Sequence, residues 1–347
     1  MVAATNLSDE TALAYHGGGL AAARRLFPRA PEPWLDLSTG INAAAYPFAP
    51  VSAAAYARLP EADSIAALEL AAAESFALDA EAGIVAAPGT QALIQLLPRL
   101  LGAKKVAIIG FTYAEHERVW AASGAEVTVC NTLDELTRAD LAIVVNPNNP
   151  DGRLSEPRDL RDLARQMAAE GKSLIVDEAF IDLMPRESSL APLLPLPGAI
   201  VLRSFGKTFG LAGLRLGFAL GETSLTVALR DALGPWAVSG AAVEIGIEAY
   251  RDRDWLSETA MRLKRDCVRL DSLLETAGFE IIGGTPLFRL ARHELAEQIF
   301  RRLCGAGVLT RPFAARPDWL RFGLPHGEED FARLAEGLGL HGQAWPD

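Results

Sequence analysis

The sequence predicts an α/β protein: a large domain built on a mainly parallel, seven-stranded sheet, followed by a smaller α+β C-terminal domain. Three observations predict it. Seven short apolar runs recur between residues 83 and 220. Segments with helical spacing separate most of them, and that alternation implies parallel strands with helices on both faces. Beyond about residue 240 the alternation gives way to a long helical stretch and then shorter strands.

Residues 1–45 are punctuated by Pro and Gly and read as an arm. The large domain is placed at 46–235 and the small one at 236–347. "GIVAA" (83–87), "KVAIIG" (105–110), "EVTVC" (126–130), "LAIVVN" (141–146), "SLIVD" (173–177), "AIVLRS" (199–204) and "LRLGFAL" (214–220) are the strands. They are too short for helices and rich in Val and Ile. "TQALIQLLPRLL", "AEHERVWAASG" and "EPRDLRDLARQMAAEG" carry helical spacing and a closing Gly. Residues 240–275 read as one long helix or a broken pair. "FEIIG", "TPLFRLA" and "WLRFGL" are strands around a helix at "ELAEQIFRRLCGAG".

Composition narrows the function. The 347 residues carry 33 Lys and Arg against 44 Asp and Glu, a formal charge of −11. That opposes a nucleic-acid surface, and no basic run appears. Cys130, Cys267 and Cys304 are odd in number and far apart, so a disulfide framework is not expected. No ligand spacing points to a metal. No basic-then-apolar leader and no membrane-length apolar run is read, so a cytoplasmic setting is expected.

Polar residues gather at the carboxyl ends of the predicted strands, where open parallel sheets bind ligands. Gly89, Thr90 and Gln91 follow the first strand and open a helix, whose free N–H groups and dipole suit a phosphate. Asn149 stands in "NPNNPDG", past the fourth strand, and Asp177 ends the fifth. Ser204 ends the sixth, Lys207 follows it, and Arg215 begins the next. Lys207 is one of only five lysines in a chain that prefers arginine, so its placement there asks for a chemical reason.

"NPNNPDG…DEAF…SFGKTFGLAGLRLGF…LRFGL" resembles the fold type I, pyridoxal-phosphate-dependent aminotransferases of class I/II. The resemblance runs from about residue 35 to the C-terminus and implies pyridoxal 5'-phosphate as cofactor. It makes Lys207 the Schiff-base lysine, a role that needs a primary amine and that arginine cannot fill. It pairs Asp177 with the pyridinium nitrogen and Asn149 with the ring 3-oxygen. Gly89, Thr90, Gln91, Ser204 and Arg215 hold the phosphate. Tyr113, in "GFTYAEH", falls where the family stacks a ring on the cofactor, with His116 a rival for that face. With Lys207 and Asp177 it completes the catalytic candidates. Arg321, in "LRFGL", falls where the family grips the substrate α-carboxylate.

Departures bear on the reaction. Many members have Tyr three residues after the Asp; here Phe180 stands there, which should alter the acidity of the lysine–cofactor imine. Gly206 replaces the Ser of many histidinol-phosphate aminotransferases. With "YHGGG" (15–19) and "DLSTGIN" (36–42), the chain is similar to the threonine-phosphate decarboxylases of cobalamin biosynthesis, aerobic branch. Phe111 and Ala43 replace prolines usual there. That resemblance implies decarboxylation of L-threonine O-3-phosphate to (R)-1-amino-2-propanol O-2-phosphate. His16, Gly17, Gly18, Ser38, Asn42, Asn149, Arg311 and Arg321 are then candidates to bind this small phosphorylated amino acid. The tyrosine that related enzymes lend across subunits has no match in "ARLPEADS", since Leu59 precedes Pro60 and Tyr56 is too early. A homodimer is still implied. A histidinol-phosphate-type aminotransferase and a catalytically idle binding or regulatory member remain alternatives.

Overall fold

The computed structural model describes Asp9, Leu13 and residues 17–340. Helix α1 (Leu20–Leu26) and strand β1 (Leu35–Asp36) come first, then α2 (Ala53–Ala57) and α3 (Ala62–Phe76). There follow β2 (Gly83–Ala87), α4 (Thr90–Leu101), β3 (Lys105–Ile109), α5 (Ala114–Ala122), β4 (Glu126–Cys130) and α6 (Leu133–Leu136). Next are β5 (Leu141–Val145), α7 (Pro157–Ala169), β6 (Ser173–Asp177), β7 (Ala199–Ser204), α8 (Phe205–Thr208), β8 (Gly217–Gly221) and α9 (Thr223–Leu233). The rest is α10 (Gly240–Arg251), α11 (Arg253–Thr276), β9 (Glu280–Thr285), β10 (Phe288–Arg292), α12 (Ala296–Gly305), β11 (Val308–Leu309), β12 (Arg311–Phe313), β13 (Arg316–Gly323) and α13 (Gly327–Gly337).

The chain divides into two compact units, one of residues 45–257 and one that joins 1–44 to 258–347. The first 44 residues therefore group with the C-terminal segment, and the boundary falls inside α11, later than the 235/236 expected from sequence. Packing within the larger unit explains the shift. A Cβ at Gly246 of α10 would lie 2.6 Å from Leu68 and 2.8 Å from Leu216. Glycine there lets α10 lie directly against large-unit side chains, so it cannot be counted with the small domain.

The large unit holds the seven-stranded sheet, in the order β2-β8-β7-β6-β5-β3-β4. Its strands are parallel except β8, which runs antiparallel to both β2 and β7. The apolar runs lack the in–out alternation of a half-exposed strand because both faces are covered. Ala107, Ala142, Val144, Val176 and Val201 point into one buried cluster. Their neighbours Val106, Leu141, Ile143, Ile175 and Ile200 point into another. Burial of such apolar area, at roughly 25 cal/mol per Å², drives the large unit to fold.

In the small unit a four-stranded antiparallel sheet runs β12-β13-β10-β9. β1 pairs in parallel with β11, Leu35 opposite Val308. The arm is thereby tied to the C-terminal segment by main-chain hydrogen bonds, continued by Leu37 N to Leu309 O at 2.7 Å.

Candidate active site

Asp177 ends β6 with 3% of its surface exposed. His116 Nε2 lies 2.8 Å from Asp177 Oδ2, and Ala179 N donates to Oδ1 at 3.2 Å. A carboxylate only accepts, so His116 presents a protonated Nε2 to it. His116 sits in the first turn of α5, three residues after Tyr113, and is 1% exposed. Sequence reading placed His116 as a rival of Tyr113; the structure makes it Asp177's partner. Its (i, i+3) spacing from Tyr113 on one helix was the available signal.

Lys207 lies on the single turn α8, directly after β7. Phe205 and Phe209 on either side of it are fully buried, with stacked rings 4.3 Å apart. The Lys207 Nζ stands 5.7 Å from the centre of the Phe180 ring. Phe180 therefore presents an apolar ring to the amine. The neighbouring Gly206 has a packing reason. A Cβ there would meet the Ala212 Cα at 2.6 Å, so a serine has no room.

Three strand ends converge on an anion cradle. Ala87 and Ser204 are both register partners of Gly217, which brings the ends of β2, β7 and β8 together. Gly89 precedes α4 with φ +85°, a left-handed conformation that favours glycine. A Cβ there would come 2.6 Å from Arg215 Nη2, so the guanidinium lies directly over the Gly89 backbone. A Cβ on Gly217 would come 2.6 Å from Thr90 N, so the start of α4 is reached at close range. Arg215 has φ +56° and is held by Nη1 donating to Ala212 O at 3.0 Å. A helix N-terminus and a guanidinium thus meet beside the strand end that carries Ser204, which suits a phosphate.

Other side chains are already engaged. Gln91 Nε2 donates to Glu115 Oε2 at 2.7 Å, and the Tyr113 hydroxyl donates to Gln91 Oε1 at 3.2 Å. What Gln91 offers a phosphate is therefore its backbone, while its side chain steadies Tyr113. Of the asparagines in "NPNNPDG", Asn146 is bonded both ways to Ser155. Asn148 takes the Thr112 hydroxyl at 2.6 Å and donates to Phe111 O and Asp151. Both are fully buried in holding the loop, and Asn149 is the partly exposed one.

The small unit carries its own cluster. Arg321 is 2% exposed and its Nη2 donates to Ser38 O at 2.6 Å. Arg311 is its cross-strand register partner on β12. Burial, and then the charge of Arg311, push the Arg321 guanidinium well below its ordinary value, with Asp36 pulling the other way. Two cations on adjacent strands, one buried, favour a bound anion. Asp36 Oδ1 accepts from Ser38 N and Oγ, and Gly18 N donates to Ser38 Oγ at 2.7 Å. A side chain at Gly17 would run into the Ser38 carbonyl. The glycine stretch is thus a packed turn, not a loose one. Asn42 is 2% exposed and takes Arg262 Nη2 at 3.0 Å, an arginine the sequence reading passed over. His16 lies outside the described residues.

The chain matches the sequence pattern of the aminotransferase class I and II family over residues 44–338, and it belongs to that family, one of pyridoxal-phosphate enzymes. It is 44% identical over 325 residues to a threonine-phosphate decarboxylase of Sinorhizobium sp, covering 93% of this chain and 97% of that protein. It is 40% identical over 326 residues to a threonine-phosphate decarboxylase of Pseudomonas aeruginosa, covering 93% and 96%. Among solved structures, the histidinol-phosphate aminotransferase from Sinorhizobium meliloti in complex with pyridoxal-5'-phosphate matches with a TM-score of 0.75 at 21% identity, over 92% of this chain and 93% of that one. This last likeness is one of fold. The cradle built by Gly89, Gly217, Thr90 and Arg215, with a buried carboxylate and an amine on neighbouring strand ends, fits that cofactor.

No helix among the described residues is long and apolar enough to cross a membrane.

Proposed function

We propose that this chain decarboxylates L-threonine O-3-phosphate to (R)-1-amino-2-propanol O-2-phosphate, with pyridoxal phosphate as cofactor, in cobalamin biosynthesis. When bound, the cofactor supplies an electron sink for the pair released as the α-carboxylate leaves as carbon dioxide. Lys207 would anchor it and then, freed by substrate, carry a proton to the α-carbon. Asp177, steadied by His116, would hold the proton on the ring nitrogen. Gly89, Thr90, Gln91, Ser204 and Arg215 would grip the phosphate, Asn149 the ring oxygen, and Tyr113 would stack on the ring. Arg321 would hold the substrate carboxylate and Arg311 its phosphate, with Gly17, Gly18, Ser38 and Asn42 shaping the surroundings. Which substrate bond breaks depends on how the substrate is oriented, so these grips would decide the reaction.

The observation that carries the substrate choice is the cross-strand pair of Arg311 with the buried Arg321, which suits a substrate bearing two anionic groups. The names of the two relatives point the same way. Incubation of the holoprotein with threonine phosphate tests the proposal. Carbon dioxide released in step with amine product, with no keto acid required, is expected. Amine transfer from histidinol phosphate without gas release would favour the aminotransferase instead.

A homodimer in the cytoplasm is part of this proposal. Tyr56, Leu59 and Trp236 are 73%, 61% and 58% exposed, and Pro60 and Trp236 line one groove of the large unit. Such apolar side chains suit burial against a second copy. Light scattering on the purified protein should give twice the chain mass.

A further inference from the structure

Directly behind the site lies a buried ion cluster. Glu178 follows Asp177 and Arg203 precedes Ser204. Successive residues of a strand face opposite ways. Val176 and Val201 point into one core, while Ile175 and Leu202 point into the other. Asp177 and Ser204 continue the second set, and Glu178 and Arg203 continue the first.

Glu178 and Arg203 are 1% and 5% exposed. Arg203 Nη1 lies 3.3 Å from Glu178 Oε2 and 3.2 Å from Ser189 Oγ, and Nη2 pairs with Asp182. Ser189 Oγ donates to Glu178 Oε2 at 2.6 Å, and Leu190 N donates to Oε1 at 2.7 Å. The Arg203 guanidinium lies 4.0 Å from the centre of the Phe76 ring. Phe76 packs edge-on against Tyr250 at 5.2 Å, and Tyr250 against Phe205 and Phe209 at 5.4 and 5.3 Å. The ion cluster and the turn that bears Lys207 therefore rest on the same aromatic group.

Stability alone does not require this arrangement. Two carboxylates share one guanidinium out of water, and apolar residues of similar volume commonly replace buried ion groups without loss. Burial pushes the Glu178 carboxyl up despite the facing Arg203. What the cluster does supply is a fixed distance. Main-chain pairing between β6 and β7 runs to Asp177 opposite Leu202, extended by Glu178 N to Leu202 O at 2.9 Å. The side-chain pair then joins the end of β6 to β7 one residue beyond the last backbone pair between them.

We propose that the Glu178–Arg203 pair, braced by Asp182 and Ser189, is a positioning clamp that sets the separation of Asp177 from Lys207. The inference rests on the assignment of those two residues to the cofactor. Neither clamp residue touches the reacting atoms; both act through the backbone of the residues beside them.

The test uses holoprotein carrying Arg203→Met, Arg203→Lys, Glu178→Gln, or the apolar triple Glu178→Met/Asp182→Leu/Arg203→Met. Melting temperature reports folding, and the visible band of bound cofactor is titrated against pH. Because misplacement near 1 Å costs up to about 100-fold, Arg203→Met and Glu178→Gln should lower kcat about 10- to 100-fold with KM little changed. The pH midpoint of the band should move by at least about half a unit. Arg203→Lys, which keeps the charge, should fall between these variants and the wild type. The apolar triple should melt near the wild type yet keep the displaced midpoint and low kcat. Glu178→Gln keeps one oxygen to accept from Leu190 N while its amide can donate to the Ser189 hydroxyl, and it carries the test if Arg203→Met does not fold. Any folded clamp variant with wild-type midpoint and kcat overturns the clamp alone. A wild-type protein with no cofactor band would instead overturn the cofactor assignment, and the clamp with it.

Discussion

Asp177 keeps its carboxylate in place through two donors, the His116 ring and the Ala179 amide. Asp177→Asn should retain the cofactor yet lose several powers of ten in rate, since an amide cannot hold the ring nitrogen's proton. Steady-state turnover and the bound-cofactor spectrum check both halves; near-normal turnover would remove Asp177 from its role. His116→Ala should cost less. A hydrogen bond to a charged group is worth about 1.5–3 kcal/mol, so a loss of roughly 10- to 100-fold in kcat is expected, measured at saturating cofactor. The positions of Lys207, Asp177 and Arg215 beside strand ends were legible because each borders an apolar run in the sequence. His116 and Gln91 were not, because their roles depend on which of several partners they meet in space. The asparagines show the same limit. Three of them crowd "NPNNPDG", and only the hydrogen bonds of Asn146 and Asn148 tell the loop-holding ones from Asn149.

Among the elements, the turn between β7 and β8 is tightly packed. Gly206 packs on Ala212, Gly217 on the start of α4, and Gly89 under Arg215. Gly206→Ser should therefore destabilise this chain by about 1–3 kcal/mol through overpacking. Denaturant unfolding of the cofactor-free protein measures this; unchanged stability would mean that the turn relaxes freely. Strand existence and the start of α4 were plain from the sequence, since apolar runs ending in Gly-Thr or Asp mark both. The break at Asp252 was left open as one helix or two. "YRDRD" contains no Pro or Gly, and an Asp can lie on an exposed helix face as easily as at a cap. In the structure Asp252 Oδ1 accepts from Trp255 N at 2.9 Å, the bond of a helix start. The pairing of Arg311 with Arg321 was also out of reach, because register depends on the turn between β12 and β13 and not on either strand alone.

Across the whole molecule, several buried groups hold protons that an unfolded chain would release. Burial raises the Cys267 thiol to about 11 and the Cys304 thiol to about 12. Burial, helped by Asp252, raises the Tyr46 phenol to about 12. The ordinary values are 9.0 for a thiol and 10.0 for a phenol. Between the ordinary and raised values the folded chain binds more protons than the unfolded one, so stability falls as pH rises. Each such group contributes a slope of up to about 1.4 kcal/mol per pH unit. Unfolding midpoints should be flat in this respect below pH 9.0 and drop steadily up to about 12. Cys304→Ala should show a shallower decline over that range than the wild type; an identical decline would mean that this thiol titrates normally. The division of the chain was the large-scale feature least visible in sequence. Helix α10 carries no mark of the unit it belongs to until Gly246 is seen against Leu68 and Leu216.

Every role assigned in the large unit depends on Lys207 carrying the cofactor. Borohydride reduction of the pyridoxal phosphate holoprotein, followed by proteolysis and peptide mass mapping, tests this most directly. The phosphopyridoxyl mass should appear on the peptide containing Lys207, and not on those containing Lys104, Lys105, Lys172 or Lys264. A stable adduct on another lysine, or none, would contradict it.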